Sequence, residues 1–162
     1  MRNISEVFVN GICLEDILEK HEKWLNGEDG GKKADLSHVD LSHINLKEIN
    51  LRNANLFCID LSGANLSGAN LSGTDLRFAN LSDADLSDVD LSHANLRETD
   101  LSYTDLSYAD LRDSCLKGSN LNYVNLSYAN LSCADLRDAD LNKVSYNYQT
   151  SFFALVCPEE GS

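Results

Sequence analysis

Leucine occupies every fifth position from Leu36 to Leu141, twenty-two times without a gap. A spacing of five fits neither regular period. On an α-helix, residues five apart are rotated by about 140°, so the leucines would spiral around every side. On a flat strand, side chains alternate, and an odd spacing sends successive leucines to opposite faces. The pattern is satisfied when the backbone turns once per repeat and each short run presents its leucine inward. Stacked turns then form a solenoid around a leucine ladder.

The residue before each leucine is Asp or Asn, with one exception at Cys115, and the residue two before it is small or β-branched. The repeat reads A-(D/N)-L-S-x, as in Ala64-Asn65-Leu66-Ser67-Gly68. From Ala34 to about Ser145 the chain resembles the pentapeptide-repeat family. The resemblance implies an all-β solenoid: a right-handed quadrilateral β-helix with five residues per side and 20 per coil. It also implies that the leucine and the residue two before it point inward, with Asp/Asn beside the corner backbone.

The residues independently lean towards a 20-residue coil. Basic residues follow the leucine at Arg77, Arg97, Lys117 and Arg137, and tyrosines recur at Tyr103 and Tyr123, and at Tyr108 and Tyr128. Twenty-two repeats at four per coil give about 5.5 coils, or roughly 26 Å of shaft at the ~4.8 Å strand spacing. The inward column is mostly alanine in the middle (Ala64, Ala69, Ala79, Ala84). It is bulkier near the ends (Val39, Ile44, Ile49, Ile59; Val124, Val144).

The 162 residues suit one domain. Residues 1–33 read as an N-terminal cap, 34–145 as the β-helix and 146–162 as a C-terminal cap or tail. Solenoids expose apolar coil ends and need such caps. Leu14, Ile17, Leu18, His21, Trp24 and Leu25 follow helical spacing, which predicts an amphipathic cap helix over 14–26. Trp24 is expected over the first coil, His21 at the cap edge and Gly30-Gly31 as a flexible entry to the coil. Val7-Phe8-Val9 reads as a short strand paired to that coil. After Leu141 the apolar run Phe152–Cys157 is expected to cover the last coil. The final Pro158–Ser162 resembles the tails of family members that lead into a further segment, an expectation of a truncated end.

No run approaches the ~20 apolar residues of a membrane span. The N-terminus lacks a signal-peptide layout, so a cytoplasmic protein is expected. Five cysteines without a CxxC argue against a disulfide framework and a zinc site. Asn53, Gly73, His93, Asp113 and Cys133 fall in one column, but His93 and Cys133 are two coils apart, about 10 Å, beyond the reach of a nucleophile and its base. His38 over Cys58 supplies two ligands where a metal wants three or four. Neither catalytic residues nor a cofactor is expected.

Surface charge and aromatics remain. The chain carries −13 overall, and the shaft carries 17 Asp/Glu against 8 Lys/Arg, a net −9. Asp83, Asp85, Asp88, Asp90, Asp100, Asp105 and Asp110 form a candidate acidic face, with Glu98 in the same stretch. Some members of the family mimic duplex DNA, bind DNA gyrase and protect it from quinolones. A duplex would carry roughly 15 charges over a 26 Å shaft, well above −9, and the basic column Arg77, Arg97, Lys117, Arg137 puts positive charge where a phosphate mimic wants none. Many Asp residues are also expected to serve turns by accepting backbone N–H groups. Tyr103, Tyr108, Tyr123 and Tyr128 make a candidate interaction patch around one corner, since tyrosine favours interface cores. The expected function is a non-enzymatic scaffold for an unidentified protein partner, with gyrase mimicry as the alternative. Direct nucleic-acid or membrane binding is not expected.

Overall fold

The computed structural model describes residues 4–152. A short 3₁₀ turn at Ile4–Glu6 leads into a hairpin, β1 (Phe8–Val9) and β2 (Ile12–Cys13), and then into one helix, α1 (Leu14–Leu25). From Asp35 to Asn125, residues pair in parallel with those twenty positions later, and Asn130 pairs with Ser151. Four series run side by side, beginning Asp35↔Asn55, Asp40↔Asp60, Asn45↔Asn65 and Asn50↔Asn70. The coil therefore has four sides and 20 residues. The sides are named here by their first leucines: Leu36, Leu41, Leu46 and Leu51.

Each corner is a tight turn. The N–H three residues after the leucine donates back to the leucine carbonyl, as from Val39 to Leu36 at 3.3 Å. The residue two after the leucine has positive φ in every repeat, whether glycine (Gly63, Gly68, Gly73, Gly118) or not. Positive φ at the third turn residue alone identifies type II turns.

The five N–H groups of a repeat can be followed one by one. The leucine donates to the next coil (Leu36 to the Asn55 carbonyl, 2.9 Å), as does the residue two later (His38 to Phe57, 2.9 Å). The Asp/Asn N–H donates to the previous coil (Asn55 to Ala34, 3.0 Å), and the small residue closes the turn. The fifth N–H, directly after the leucine, has no backbone acceptor within reach. It donates to the Asp/Asn side-chain oxygen instead, as from Ser62 to Asp60 at 2.9 Å. This explains why the sequence demands Asp or Asn there.

The leucines from Leu36 to Leu131 are buried, and the small residues two before them fill the space between. Some of those small residues are polar but satisfied: Thr74 and Ser114 hydroxyls donate to the carbonyls of Leu71 (2.6 Å) and Leu111 (2.7 Å). Towards the end Leu136, Ala139 and Val144 are half-buried and Leu141 is exposed. Of the apolar run expected to cover this end, residues 153–157 lie outside the described residues.

The N-terminal segment departs from expectation in three places. Phe8–Val9 pairs antiparallel with Ile12–Cys13 and not with the first coil, because a turn at Asn10-Gly11, both with positive φ, folds the chain back locally. His21 is fully buried and not at an edge, whereas Trp24 is exposed and stacks on its ring at 5.6 Å. Gly31 is no loose hinge. A Cβ there would lie 2.4 Å from the Trp24 nitrogen, so only glycine lets the chain pass this close to α1. Leu14 and Leu18 of α1 and Val7 and Val9 beside it join the same apolar core as the first coils.

Candidate interaction surface

The four tyrosines follow from turn geometry. Each occupies the positive-φ corner two after a leucine, which throws its side chain outward. Tyr103 and Tyr123 share the corner after the Leu41 side, and Tyr108 and Tyr128 the next corner. One coil of separation brings like rings face to face: 4.7 Å at 9° for Tyr103–Tyr123 and 4.5 Å at 1° for Tyr108–Tyr128. All four stay exposed, between 41% and 57%. The Lys143 ammonium caps the first stack, 4.6 Å from the Tyr123 ring centre. The outward floor between the two stacks includes Asp105 and Asn125, bonded to each other at 3.0 Å.

The candidate acidic residues do not gather on one side. Asp83 and Asp100 lie on the Leu41 side, Asp85, Asp88 and Asp105 on the Leu46 side, and Asp90 and Asp110 on the Leu51 side. Five of these seven precede a leucine and accept the N–H two residues on: Asp85, Asp90, Asp100, Asp105 and Asp110. Asp83 and Asp88 occupy exposed corners directly one coil before Tyr103 and Tyr108.

Arg77, Arg97, Lys117 and Arg137 do share the Leu36 side, yet their charge is largely answered locally. Arg77 and Arg137 pair with Asp75 at 2.6 Å and Asp135 at 2.7 Å, and Lys117 lies 3.7 Å from Asp138. The arginine hydrogen bonds hold the Asp75 and Asp135 carboxyls below their ordinary pKa. Arg112 and Asp110 form the same pairing on the Leu51 side, with the same effect on Asp110.

On the Leu36 side the sequence reading missed an aromatic group. Phe57 meets His38 at 5.4 Å and Phe78 at 5.7 Å, with the Arg77 guanidinium 5.3 Å over the Phe57 ring. Phe57 and Phe78 are twenty-one residues apart, so a search at a lag of 20 passes over them. His93 and Asp113 approach only to 4.0 Å, both exposed. Among the described residues no three His, Cys, Asp or Glu side chains converge as metal ligands, and no helix is long and apolar enough to cross a membrane.

Against known proteins, the family model described as pentapeptide repeats (8 copies) matches residues 34–73, 54–93, 79–118 and 119–145. None of the curated proteins matches. Among solved structures, a pentapeptide repeat protein from the Arabidopsis thaliana thylakoid lumen is 30% identical, covering 66% of this chain and 71% of that one, with a TM-score of 0.44. One from Nostoc PCC 7120 is 31% identical over 83% of this chain and 82% of its own, with a TM-score of 0.28. QnrB1, a plasmid-mediated fluoroquinolone resistance protein, is 21% identical over 74% and 93%, with a TM-score of 0.34. The repeat with its Asp/Asn-bonded type II corners, matched along most of its length, makes this chain a member of the pentapeptide-repeat family.

Proposed function

We propose that the protein is a non-enzymatic scaffold of about 5.5 coils, capped at its N-terminus by α1, that presents the paired tyrosine corners to a protein partner in the cytoplasm. The observation that carries this reading is the exposure of Tyr103/Tyr123 and Tyr108/Tyr128 as two parallel stacks on adjacent corners. Stacking fixes each ring before any partner arrives, so little side-chain entropy is lost on contact. Tyrosine also offers a large apolar face with a polar tip, the combination enriched at interface cores. Asp83 and Asp88 beside the stacks favour a partner with basic residues at the rim.

Duplex mimicry draws less support. The acidic residues are spread over three sides, and five of the seven candidates also hold turns together.

A pull-down with wild type and a Tyr103→Ser/Tyr108→Ser/Tyr123→Ser/Tyr128→Ser variant tests the scaffold reading. Loss of specific partners from the variant is expected, and equal recovery of every partner would sink it. A gyrase supercoiling assay separates the alternative. Inhibition, or protection from a quinolone, by micromolar wild-type protein would favour mimicry.

A further inference from the structure

Lys20, Lys32 and Lys33 line one cavity of about 230 Å³ between the β1–β2 hairpin, α1 and the entry to the first coil. Its apolar wall is Val9, Ile12 and Ile17, and Asp35 is the acidic residue on its lining. The remaining lysines of the chain are each engaged: Lys23 with Glu19, Lys47 with Glu48, Lys117 with Asp138 and Lys143 with the Tyr123 ring. Among the described residues the three cavity lysines have no ion pair within 4.0 Å. In a chain of net charge −13, three lysines against one aspartate on a single cavity lining are a local reversal of sign.

The backbone brings them together. The Lys32 N–H donates to the Lys20 carbonyl at 2.8 Å, which lays the incoming chain along α1. Gly31 permits this approach, since any Cβ would run into the Trp24 backbone at 2.4 Å. Three cationic side chains against the single carboxylate of Asp35 on one lining leave the cavity net positive, which raises the local potential and draws an anion. The adjoining apolar wall rewards a ligand that also carries hydrocarbon.

We infer that this cavity binds a small organic anion, a carboxylate joined to a short apolar body. The carboxylate lies among the Lys20, Lys32 and Lys33 ammonium groups and the apolar body lies against Val9, Ile12 and Ile17. The cavity holds about eight liquid-water volumes, which suits a ligand of roughly ten non-hydrogen atoms. The inference is independent of the tyrosine reading, which concerns residues of later coils.

Octanoate is a suitable probe, titrated into ¹⁵N-labelled full-length protein and followed by amide chemical shifts. Saturable shifts are expected at residues 9–12, 17–20 and 32–35, with a dissociation constant of about 1 mM or tighter. The Lys20→Gln/Lys33→Gln variant should bind about tenfold more weakly, and Lys20→Arg/Lys33→Arg should bind within about threefold of wild type. Octanamide, equal in size but uncharged, should also bind about tenfold more weakly. The inference is overturned if octanoate does not saturate by about 10 mM, well above the expected constant. It is equally overturned if the shifts cluster elsewhere, if octanamide binds as well, or if the Gln variant matches wild type. The Arg variant keeps fold and charge, so a loss seen only with Gln reports charge and not unfolding.

Discussion

The Nδ1 atom of His21 accepts the backbone N–H of Ala34 at 3.1 Å, in full burial. This bond ties α1 to the first residue of the solenoid. It requires a neutral ring, and the opposite nitrogen, Nε2, has no hydrogen-bond partner among the described residues. Burial pushes the His21 pKa below its ordinary value, partly opposed by the Arg52 backbone and reinforced by the Lys33 charge. In the unfolded chain the ring takes up its proton near pH 6.5. The stabilising contribution is therefore complete above that pH and is lost as pH falls towards the lower folded value. The slope cannot exceed about 1.4 kcal/mol per pH unit for one group. Melting curves at pH 7.5 and pH 5 should show wild type losing more stability than His21→Asn, whose side-chain oxygen can accept from the Ala34 N–H. Parallel pH dependence in both proteins would refute this.

A second acid-sensitive group sits lower on the pH scale. Asp110 accepts the Arg112 N–H at 3.1 Å and is bonded by the Arg112 guanidinium, which holds its carboxyl below the usual range. Its folded pKa is depressed, so its contribution is present above about pH 3.9 and fades as pH falls through the folded value. Asp110→Asn keeps the turn acceptor and loses only a solvent-screened charge pair. It should melt close to wild type at pH 7. Asp110→Ala removes the acceptor as well and should cost about 1 kcal/mol. Equal melting temperatures for the two variants would show that the side-chain oxygen does not support the turn.

These two sites differ in how far they could be read from residues alone. Asp110 was legible because the repeat places Asp or Asn before the leucine and local chemistry gives that position one job. The tyrosine stacks were legible because a 20-residue coil converts sequence lag into vertical neighbours. His21 was not, since its burial depends on where α1 lies against the coil, and helical periodicity says only which face is apolar. The acidic stretch misled for a simple reason: five residues of sequence turn one corner, so neighbours in sequence become residents of different sides. The lysine cavity needed the close approach at Gly31, which looked like ordinary flexibility.

The Tyr108–Tyr128 stack should contribute to stability without any partner. Parallel rings 4.5 Å apart are expected to couple by about 0.5–1.5 kcal/mol in a double-mutant cycle. The cycle uses Tyr108→Ser, Tyr128→Ser and the pair, in urea denaturation. Strict additivity would mean that the rings merely coincide. A coupling inside the expected range would also calibrate the pull-down, because it states how much disturbance the variant suffers before partner contacts are counted.

Cys115 offers the cleanest test of the turn logic. It stands where every other repeat has Asp or Asn, with Asn95 and Asp135 as its parallel neighbours in the column. A thiol is a weak acceptor. Accordingly, among the described residues the Lys117 N–H lacks the side-chain bond that its counterparts make, such as Ser102 to Asp100 at 2.9 Å and Asn122 to Asn120 at 3.1 Å. Cys115→Asn supplies that acceptor. Asparagine is also preferable to aspartate here, since Asp135 in the next coil would repel a second carboxylate. Its amide can instead donate to Asn95 in the previous coil, as Asn120 donates to Asp100 at 3.0 Å. The substitution should stabilise the shaft by about 0.5–1.5 kcal/mol, the net worth of one hydrogen bond, read as a higher urea midpoint at unchanged slope. An unchanged or lower midpoint would mean that the thiol's packing between the coils outweighs the missing bond.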